Sequence, residues 1–116
     1  MLIDFWASWC EPCKLDIEGD LLKLADRLKA HGLAVIGVSL DLPEVQGGKK
    51  MLLDYVMQKG IPWPNYYDGV GQRGGFASEW GVIAIPAQFL IDKEGILRST
   101  DVGNDREKLI EKYLNL

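Results

Sequence analysis

The chain has 116 residues, of which 47% are hydrophobic and 26% are charged, and its formal net charge is −4 at pH 7. This length supports one hydrophobic core, so we expect a single domain over residues 1–116. The acidic balance argues against nucleic acid or an anionic membrane as the main partner, and no apolar run reaches the roughly 18 residues of a membrane span.

The first third of the chain predicts a strand, a helix and a second strand. Residues 2–7 form a short apolar run, which is typical of a strand buried on both sides of a sheet. Helical periodicity follows from Cys10 to about Ala30, and Gly19 within it suggests a kink or a close contact. Residues 33–40 are again apolar, so the three elements predict a βαβ unit with parallel strands. Because the chain begins inside the first strand, we expect an N-terminal segment to be missing.

The rest of the chain predicts two longer helices, a long ordered loop and a hairpin. A second helix is expected after Gly48, and a loop over residues 61–75 leads into a short helical piece. Residues 85–102 predict a β-hairpin, and the last helix is expected to start at Asn104 with its side chain as the cap. This order predicts an α/β fold with a central mixed sheet of about four strands and helices on both faces.

The only two cysteines, Cys10 and Cys13, lie at the predicted start of the first helix. A disulfide between them closes too short a loop to stabilise the fold, and a zinc site lacks ligands because His31 is the only histidine. Unpaired N–H groups and the positive end of the helix dipole lower the pKa of a cysteine at this position. We therefore expect Cys10 to attack disulfides and Cys13 to release the product, with no metal and no cofactor beyond their own disulfide.

The segment Asp4-Phe5-Trp6-Ala7-Ser8-Trp9-Cys10-Glu11-Pro12-Cys13-Lys14 resembles the active-site stretch of the thioredoxin superfamily. The Glu11-Pro12 dipeptide, together with Ile85-Pro86 ahead of a strand, resembles the TlpA/ResA branch of bacterial thiol–disulfide oxidoreductases, an AhpC/TSA-related group. The resemblance covers nearly the whole chain. It implies a thioredoxin-like fold, reduction of protein disulfides, and a location outside the cytoplasm, with membrane attachment only through an N-terminal anchor.

Two acidic residues each have two interpretations. Asp4 is either a carboxylate at a frayed strand end or a buried acid whose pKa is raised until it can take a proton from Cys13. The resemblance favours the second, because thioredoxins carry an acid at this spacing. Asp16 lies off the apolar stripe of its helix, which favours a solvated face. The resemblance instead implies a role in proton handling, since the TlpA/ResA branch often has a glutamate there, and a kink at Gly19 would change the phase.

The expected substrate-binding residues are Trp9, Ile85 and Pro86. Pro86 either marks a sheet edge or, as the resemblance implies, is a cis-proline that faces the cysteines and presents backbone groups to the substrate. Trp9 is expected to be partly exposed and to form an apolar platform beside Cys10. Glu11, with Pro12 in the first helical turn, is expected to disfavour the Cys10 thiolate, which predicts a reductant and not an oxidant.

The expected partners are a protein disulfide as substrate and an upstream thiol donor, and we expect a monomer. Two alternatives stay open. One is a thiol peroxidase of the peroxiredoxin type, although the Pro-x-x-x-Thr-x-x pattern of that group is absent before Cys10. The other is a non-catalytic maturation module that uses the same cleft to dock a partner.

Overall fold

The protein folds around a five-stranded mixed sheet in a computed structural model, which describes the whole chain apart from the side chain of Asn104. The strands are β1 (Leu2–Trp6), β2 (Val35–Ser39), β3 (Asn65–Tyr67), β4 (Ala87–Ile91) and β5 (Leu97–Ser99). Their order is β3-β2-β1-β4-β5, in which β1, β2 and β3 are parallel, whereas β4 is antiparallel to β1 and β5 is antiparallel to β4. The predicted mixed α/β architecture is confirmed, with one strand more than the four expected.

The additional strand, β3, lies in the segment predicted as a loop. It pairs with the end of β2, and the backbone N–H of Gly37 donates to the carbonyl oxygen of Pro64 at 2.9 Å. Nε1 of the buried Trp6 donates to Oδ1 of Asn65 at 2.8 Å, which ties β3 to the sheet. The loop prediction was wrong here because three residues are too few to show a period of two between prolines and glycines.

The helices agree with the predicted elements but differ at their ends. They are α1 (Glu11–Asp16), α2 (Leu22–Leu28), α3 (Gly48–Lys59), α4 (Gly75–Glu79) and α5 (Arg106–Tyr113). Helix α5 begins at Arg106, two residues after the predicted start, and the predicted cap concerns the Asn104 side chain, which lies outside the described residues. Among the described residues, none of these helices is long and apolar enough to cross a membrane.

A π-helical segment, Ile17–Leu21, joins α1 to α2 and contains Gly19. The irregularity expected at Gly19 is therefore present as a π-bulge, which changes the phase of the helix. A close contact at Gly19 is ruled out, because nothing lies within 4 Å of where a Cβ would be.

The core lies on both faces of the sheet because the residues of β1 alternate between them. Leu2 and Trp6 pack in a cluster with buried residues of α1, α2, α3 and α5, which include Cys13. Ile3 and Phe5 belong to a second cluster, against which Trp80 packs after α4. Helices therefore cover both faces, and the face that holds Leu2 and Trp6 is the one on which α1 lies.

Among the glycines, Gly48, the first residue of α3, makes the tightest approach to neighbouring backbone. A Cβ at this position would overlap the backbone oxygen of Leu42, and backbone cannot move aside as a flexible side chain can. We expect Gly48→Ala to lower the free energy of unfolding in urea by about 2–3 kcal/mol. Gly19→Ala is the matched control, with no expected loss because its Cβ meets open space. Equal stabilities for the two variants would contradict this assignment.

Candidate active site

Cys10 and Cys13 form a disulfide at the N-terminus of α1, as their spacing predicted. Cys10 is the N-cap residue of α1, and the backbone N–H of Cys13 donates to its Sγ at 3.3 Å. Both residues are buried, Cys13 more deeply than Cys10. In the reduced protein the same N–H, together with the helix dipole, stabilises a thiolate on Cys10. The two cysteines are therefore chemically unequal, and Cys10 is the better nucleophile.

The segment before β4 lies against the disulfide. The Ile85–Pro86 peptide bond is cis, and the carbonyl oxygen of Ile85 lies 3.9 Å from Sγ of Cys10. Ile85 is half-buried, Pro86 is exposed, and the Trp9 side chain next to Cys10 is 43% exposed. These three residues give the disulfide an accessible, largely apolar rim with backbone groups beside it. Such a rim suits an extended polypeptide better than a small polar substrate.

Asp41, which sequence reasoning missed, holds the turn that leads to Cys10. Asp41 is buried, and its Oδ1 accepts two hydrogen bonds from Ser8, one from the hydroxyl and one from the backbone N–H at 3.0 Å. Its Oδ2 accepts a hydrogen bond from the Ser39 hydroxyl. The signal was present in the sequence, because Ser39 ends an apolar strand that runs parallel to β1 and Asp41 follows that strand. The carboxyl ends of parallel neighbouring strands meet at one edge of a sheet, where polar side chains commonly contribute to an active or binding site.

Asp4 lies beneath the active-site helix and not at a frayed end. It is 1% exposed and shares its face of β1 with Leu2 and Trp6, which pack in the cluster that contains Cys13. Burial raises the pKa of Asp4 to about 7; a hydrogen bond from Gln88 and the charge of Arg106 oppose the rise, and the charge of Asp16 adds to it. A carboxyl group with such a pKa can exchange a proton near neutral pH.

A polar network connects Asp4 with the surface. Nε2 of Gln88 donates to Oδ1 of Asp4 at 3.1 Å and to Oδ2 of Asp16 at 3.0 Å. Nη1 of Arg106 donates to Oδ2 of Asp16 at 2.8 Å and to Oε1 of Gln88 at 2.9 Å. Its Nη2 donates to Oδ2 of Asp20 at 2.6 Å. Four ionisable side chains and one amide are thus joined by hydrogen bonds.

The interpretation of Asp16 as part of a solvated helix face was wrong. Its side chain is only 27% exposed, because α5 and β4 place Arg106 and Gln88 over that side of α1. A helical wheel describes one helix and contains no information about the elements that pack on it. Asp16 also lines a pocket of about 330 Å³ that extends past Pro86, Gln88 and Arg106.

Gln88 and Arg106 are the other site residues that sequence reasoning missed. A signal for Arg106 existed, since it lies three and four positions before Leu109 and Ile110 and so shares the apolar face of α5. An arginine on such a face needs a carboxylate partner when it is buried. Gln88 had no comparable signal, because its role depends on contacts with residues that are distant in the sequence.

Glu11 and Pro12 lie at the surface of α1. The Glu11 side chain is 71% exposed and its Oε2 lies 3.4 Å from Nζ of Lys14. Water and this ion pair screen its charge, so its influence on the Cys10 thiolate is smaller than that of a buried carboxylate would be. Pro12 occupies the first turn of α1, where its missing N–H costs no hydrogen bond.

A sequence profile of the Redoxin family matches residues 1–115. The chain is similar to thiol-disulfide oxidoreductase ResA of Bacillus thuringiensis, at 26% identity over 114 residues, which cover 98% of this chain and 61% of ResA. It is also similar to the thiol:disulfide interchange protein DsbE homolog of Paracoccus denitrificans, at 34% identity over 102 residues, which cover 88% of this chain and 50% of that protein. The chain therefore spans between half and two thirds of the length of these relatives.

Solved structures show the same fold. A thiol-disulfide oxidoreductase from Bacteroides fragilis matches with a TM-score of 0.79 at 24% identity, over 96% of this chain and 79% of that one. The thioredoxin domain of a thiol-disulfide oxidoreductase from Bacteroides vulgatus matches with a TM-score of 0.77 at 25% identity, over 98% of this chain and 78% of that one. The thioredoxin-like fold expected from the sequence is therefore confirmed.

Proposed function

The chain belongs to the Redoxin family, and from this premise we propose that it is a thiol–disulfide oxidoreductase that reduces protein disulfides through Cys10 and Cys13. One observation carries the proposal: the two cysteines form a disulfide at a helix N-terminus, with Cys10 as the N-cap and Cys13 deeply buried. This arrangement provides one activated nucleophile and one resolving thiol. The apolar rim of Trp9, Ile85 and Pro86 supports a polypeptide as the substrate.

The proposed cycle starts from the reduced protein. The Cys10 thiolate attacks one sulfur of the substrate disulfide, that S–S bond breaks, and the other substrate sulfur leaves as a thiolate. Cys13 then gives its proton to Asp4, and the resulting thiolate attacks Sγ of Cys10. The mixed disulfide breaks, the Cys10–Cys13 disulfide forms, and the second substrate sulfur is released. The substrate has gained two electrons, and an upstream thiol donor then supplies two electrons that reduce the Cys10–Cys13 disulfide again.

The direction of electron flow follows from which form of the pair the site favours. The N–H of Cys13 stabilises a Cys10 thiolate and on its own would favour the reduced form. The ionised carboxyl group of Asp4 is buried, so water does not screen its repulsion of the Cys10 thiolate, and this repulsion disfavours the reduced form. The effect of Asp4 on the thiolate is therefore larger than that of Glu11, whose charge is exposed to water. A modest stabilisation of the thiolate is typical of reductants.

The same premise carries further parts of the proposal. The resemblance to the TlpA/ResA branch supports a location outside the cytoplasm, with any membrane attachment through a segment outside this chain. We propose that the domain acts as a monomer, because the proposed chemistry needs one pair of cysteines and no residue of a second copy.

The reduction potential of the Cys10–Cys13 pair tests the proposal. We expect a value near or below about −230 mV when the protein is equilibrated with dithiothreitol buffers and alkylated thiols are counted by mass. A value near about −120 mV would make the protein an oxidant and would contradict the direction. Consumption of peroxide at the expense of Cys10 would favour the peroxidase. Full biological activity in a Cys10→Ser/Cys13→Ser variant would favour the docking module.

A further inference from the structure

The guanidinium group of Arg106 determines which way the Gln88 amide points. Arginine has only donors, so the group that faces Nη1 of Arg106 must be the amide oxygen, Oε1, at 2.9 Å. The amide NH₂ group is then directed towards Asp4 and Asp16, and Nε2 lies within hydrogen-bonding distance of both carboxylates. The reverse orientation would place the oxygen against two carboxylates and leave Nη1 facing an NH₂ group.

Arg106 is itself held from two sides. Asp16 of α1 and Asp20 of the π-helical segment bind Nη1 and Nη2, so the guanidinium bridges the active-site helix and α5. Arg106 is buried, and a buried arginine with carboxylate partners on both nitrogens has little freedom to reorient. The position of the π-bulge matters here, because it sets where Asp20 lies relative to Asp16.

We propose that Arg106 and Gln88 are positioning residues for proton transfer between Cys13 and Asp4, with Arg106 acting through the orientation of the Gln88 amide. The proposal rests on the proposed function, because it concerns the step in which Cys13 is deprotonated. The oriented NH₂ group donates to the ionised form of Asp4, which is the form that can accept the proton. Without that donor, the pKa of Asp4 rises, so at a given pH a smaller fraction of the protein carries the ionised base.

Charged and titratable groups from several elements surround Asp4 and the network that holds it. Asp16 of α1 and Arg106 of α5 act on Asp4 through their charges. Cys13 of α1 lies in the core cluster with Leu2 and Trp6, Asp20 of the π-helical segment binds Nη2 of Arg106, and Asp101 lines the pocket that Arg106 and Asp16 share. Arg106 is the only cation in this set. Its removal therefore leaves the negative charge of Asp16 without a compensating cation beside Asp4, which reinforces the effect of a disordered Gln88 amide.

We expect Arg106→Met and Gln88→Leu each to raise the pH midpoint of mixed-disulfide resolution by about one unit. The measurement is the single-turnover rate at which the substrate is released from its mixed disulfide with Cys10, between pH 5 and about pH 9. The Asp4 carboxyl group of the oxidised protein, followed by ¹³C NMR, is expected to show the same shift without any turnover. Arg106→Lys keeps the cation and is expected to restore most of the wild-type midpoint.

Arg27→Gln is the matched control, since Arg27 is an exposed arginine that pairs with Glu107 and Glu111 of α5 but touches neither Asp4 nor Gln88. Arg27→Gln removes one positive charge, as Arg106→Met does, and weakens contacts to the same helix. Its pH midpoint of mixed-disulfide resolution is expected to stay at the wild-type value. If Gln88→Leu and the Arg106 variants keep the wild-type midpoint while the wild type turns over, the positioning role is overturned. A wild-type protein that reduces no disulfide would instead overturn the proposed function. The NMR titration of Asp4 needs no turnover, so it would still test whether Arg106 and Gln88 act on Asp4.

Discussion

Replacing Cys13 with serine is expected to stop turnover after the first chemical step and to leave the substrate covalently attached to Cys10. A serine hydroxyl does not form the anion that attacks the mixed disulfide, so multiple-turnover reduction should fall by about 10³-fold or more. The first step is expected to survive, because the group that stabilises the Cys10 thiolate is the backbone N–H of residue 13 and not its side chain. The adduct is measured by mass under non-reducing conditions and mapped to Cys10.

Cys10→Ser is the control for this experiment, because it keeps a thiol at position 13 but removes the more accessible nucleophile. Cys13 is 1% exposed, so we expect this variant to form little or no adduct with a folded substrate. An adduct on Cys13 of the Cys10→Ser variant that forms as fast as the adduct on Cys10 would reverse the assigned order of attack. Absence of any adduct on Cys10 in Cys13→Ser would contradict the mixed-disulfide cycle.

The part of the fold that the sequence predicted well is the part governed by local pattern. The apolar runs of β1 and β2 and the periodicity of α1 and α2 are determined by burial that repeats along one element, so they can be identified without neighbours. The three-residue strand β3 could not be identified in this way. Its pairing depends on Gly37 and on the hydrogen bond between Trp6 and Asn65, which are contacts between distant parts of the chain.

The site divides along the same line. Cys10 and Cys13 were predicted because their spacing and their place at a helix start carry the chemistry within one segment. Asp16 was misinterpreted because its environment is supplied by Arg106, 90 positions later in the chain. Asp41 acts on the active-site turn from the end of a neighbouring strand, and only the register of β1 and β2 brings the two together. Long-range polar contacts of this kind leave little trace in a single sequence.

Asp4→Asn is expected to make the protein less active and more stable, a combination that a purely structural residue does not give. As the proposed base for Cys13, Asp4 should contribute about 10²- to 10⁴-fold to the resolution step near neutral pH. The variant should also lose the inflection near pH 7 that the raised pKa of Asp4 predicts for the wild type. The measurement is the single-turnover rate of mixed-disulfide release as a function of pH.

The stability effect follows from where Asp4 binds its proton. Burial raises its pKa from 3.8 to about 7, so between these values the folded protein keeps a proton that the unfolded chain has lost. The free energy of unfolding therefore falls as the pH rises from about 4 to about 7 and is level above that range, as far as Asp4 is concerned. At about 1.4 kcal/mol per pKa unit, the full loss is roughly 4 kcal/mol, and the uncharged side chain of the Asp4→Asn variant would not suffer it. Urea unfolding of both proteins at pH 4 and pH 8 should show a difference that grows with pH.

Asp41→Asn separates this effect from a general consequence of removing a buried carboxylate. Asp41 is as buried as Asp4, but it accepts hydrogen bonds from the backbone N–H and hydroxyl of Ser8 and from the hydroxyl of Ser39. An amide NH₂ group would face one of these donors, so Asp41→Asn is expected to lower the free energy of unfolding by about 1–3 kcal/mol. Opposite signs for the two variants at pH 8 would identify Asp4 as a carboxyl group kept for its chemistry at a cost in stability. A loss of stability in Asp4→Asn equal to that of Asp41→Asn would instead assign Asp4 a structural role.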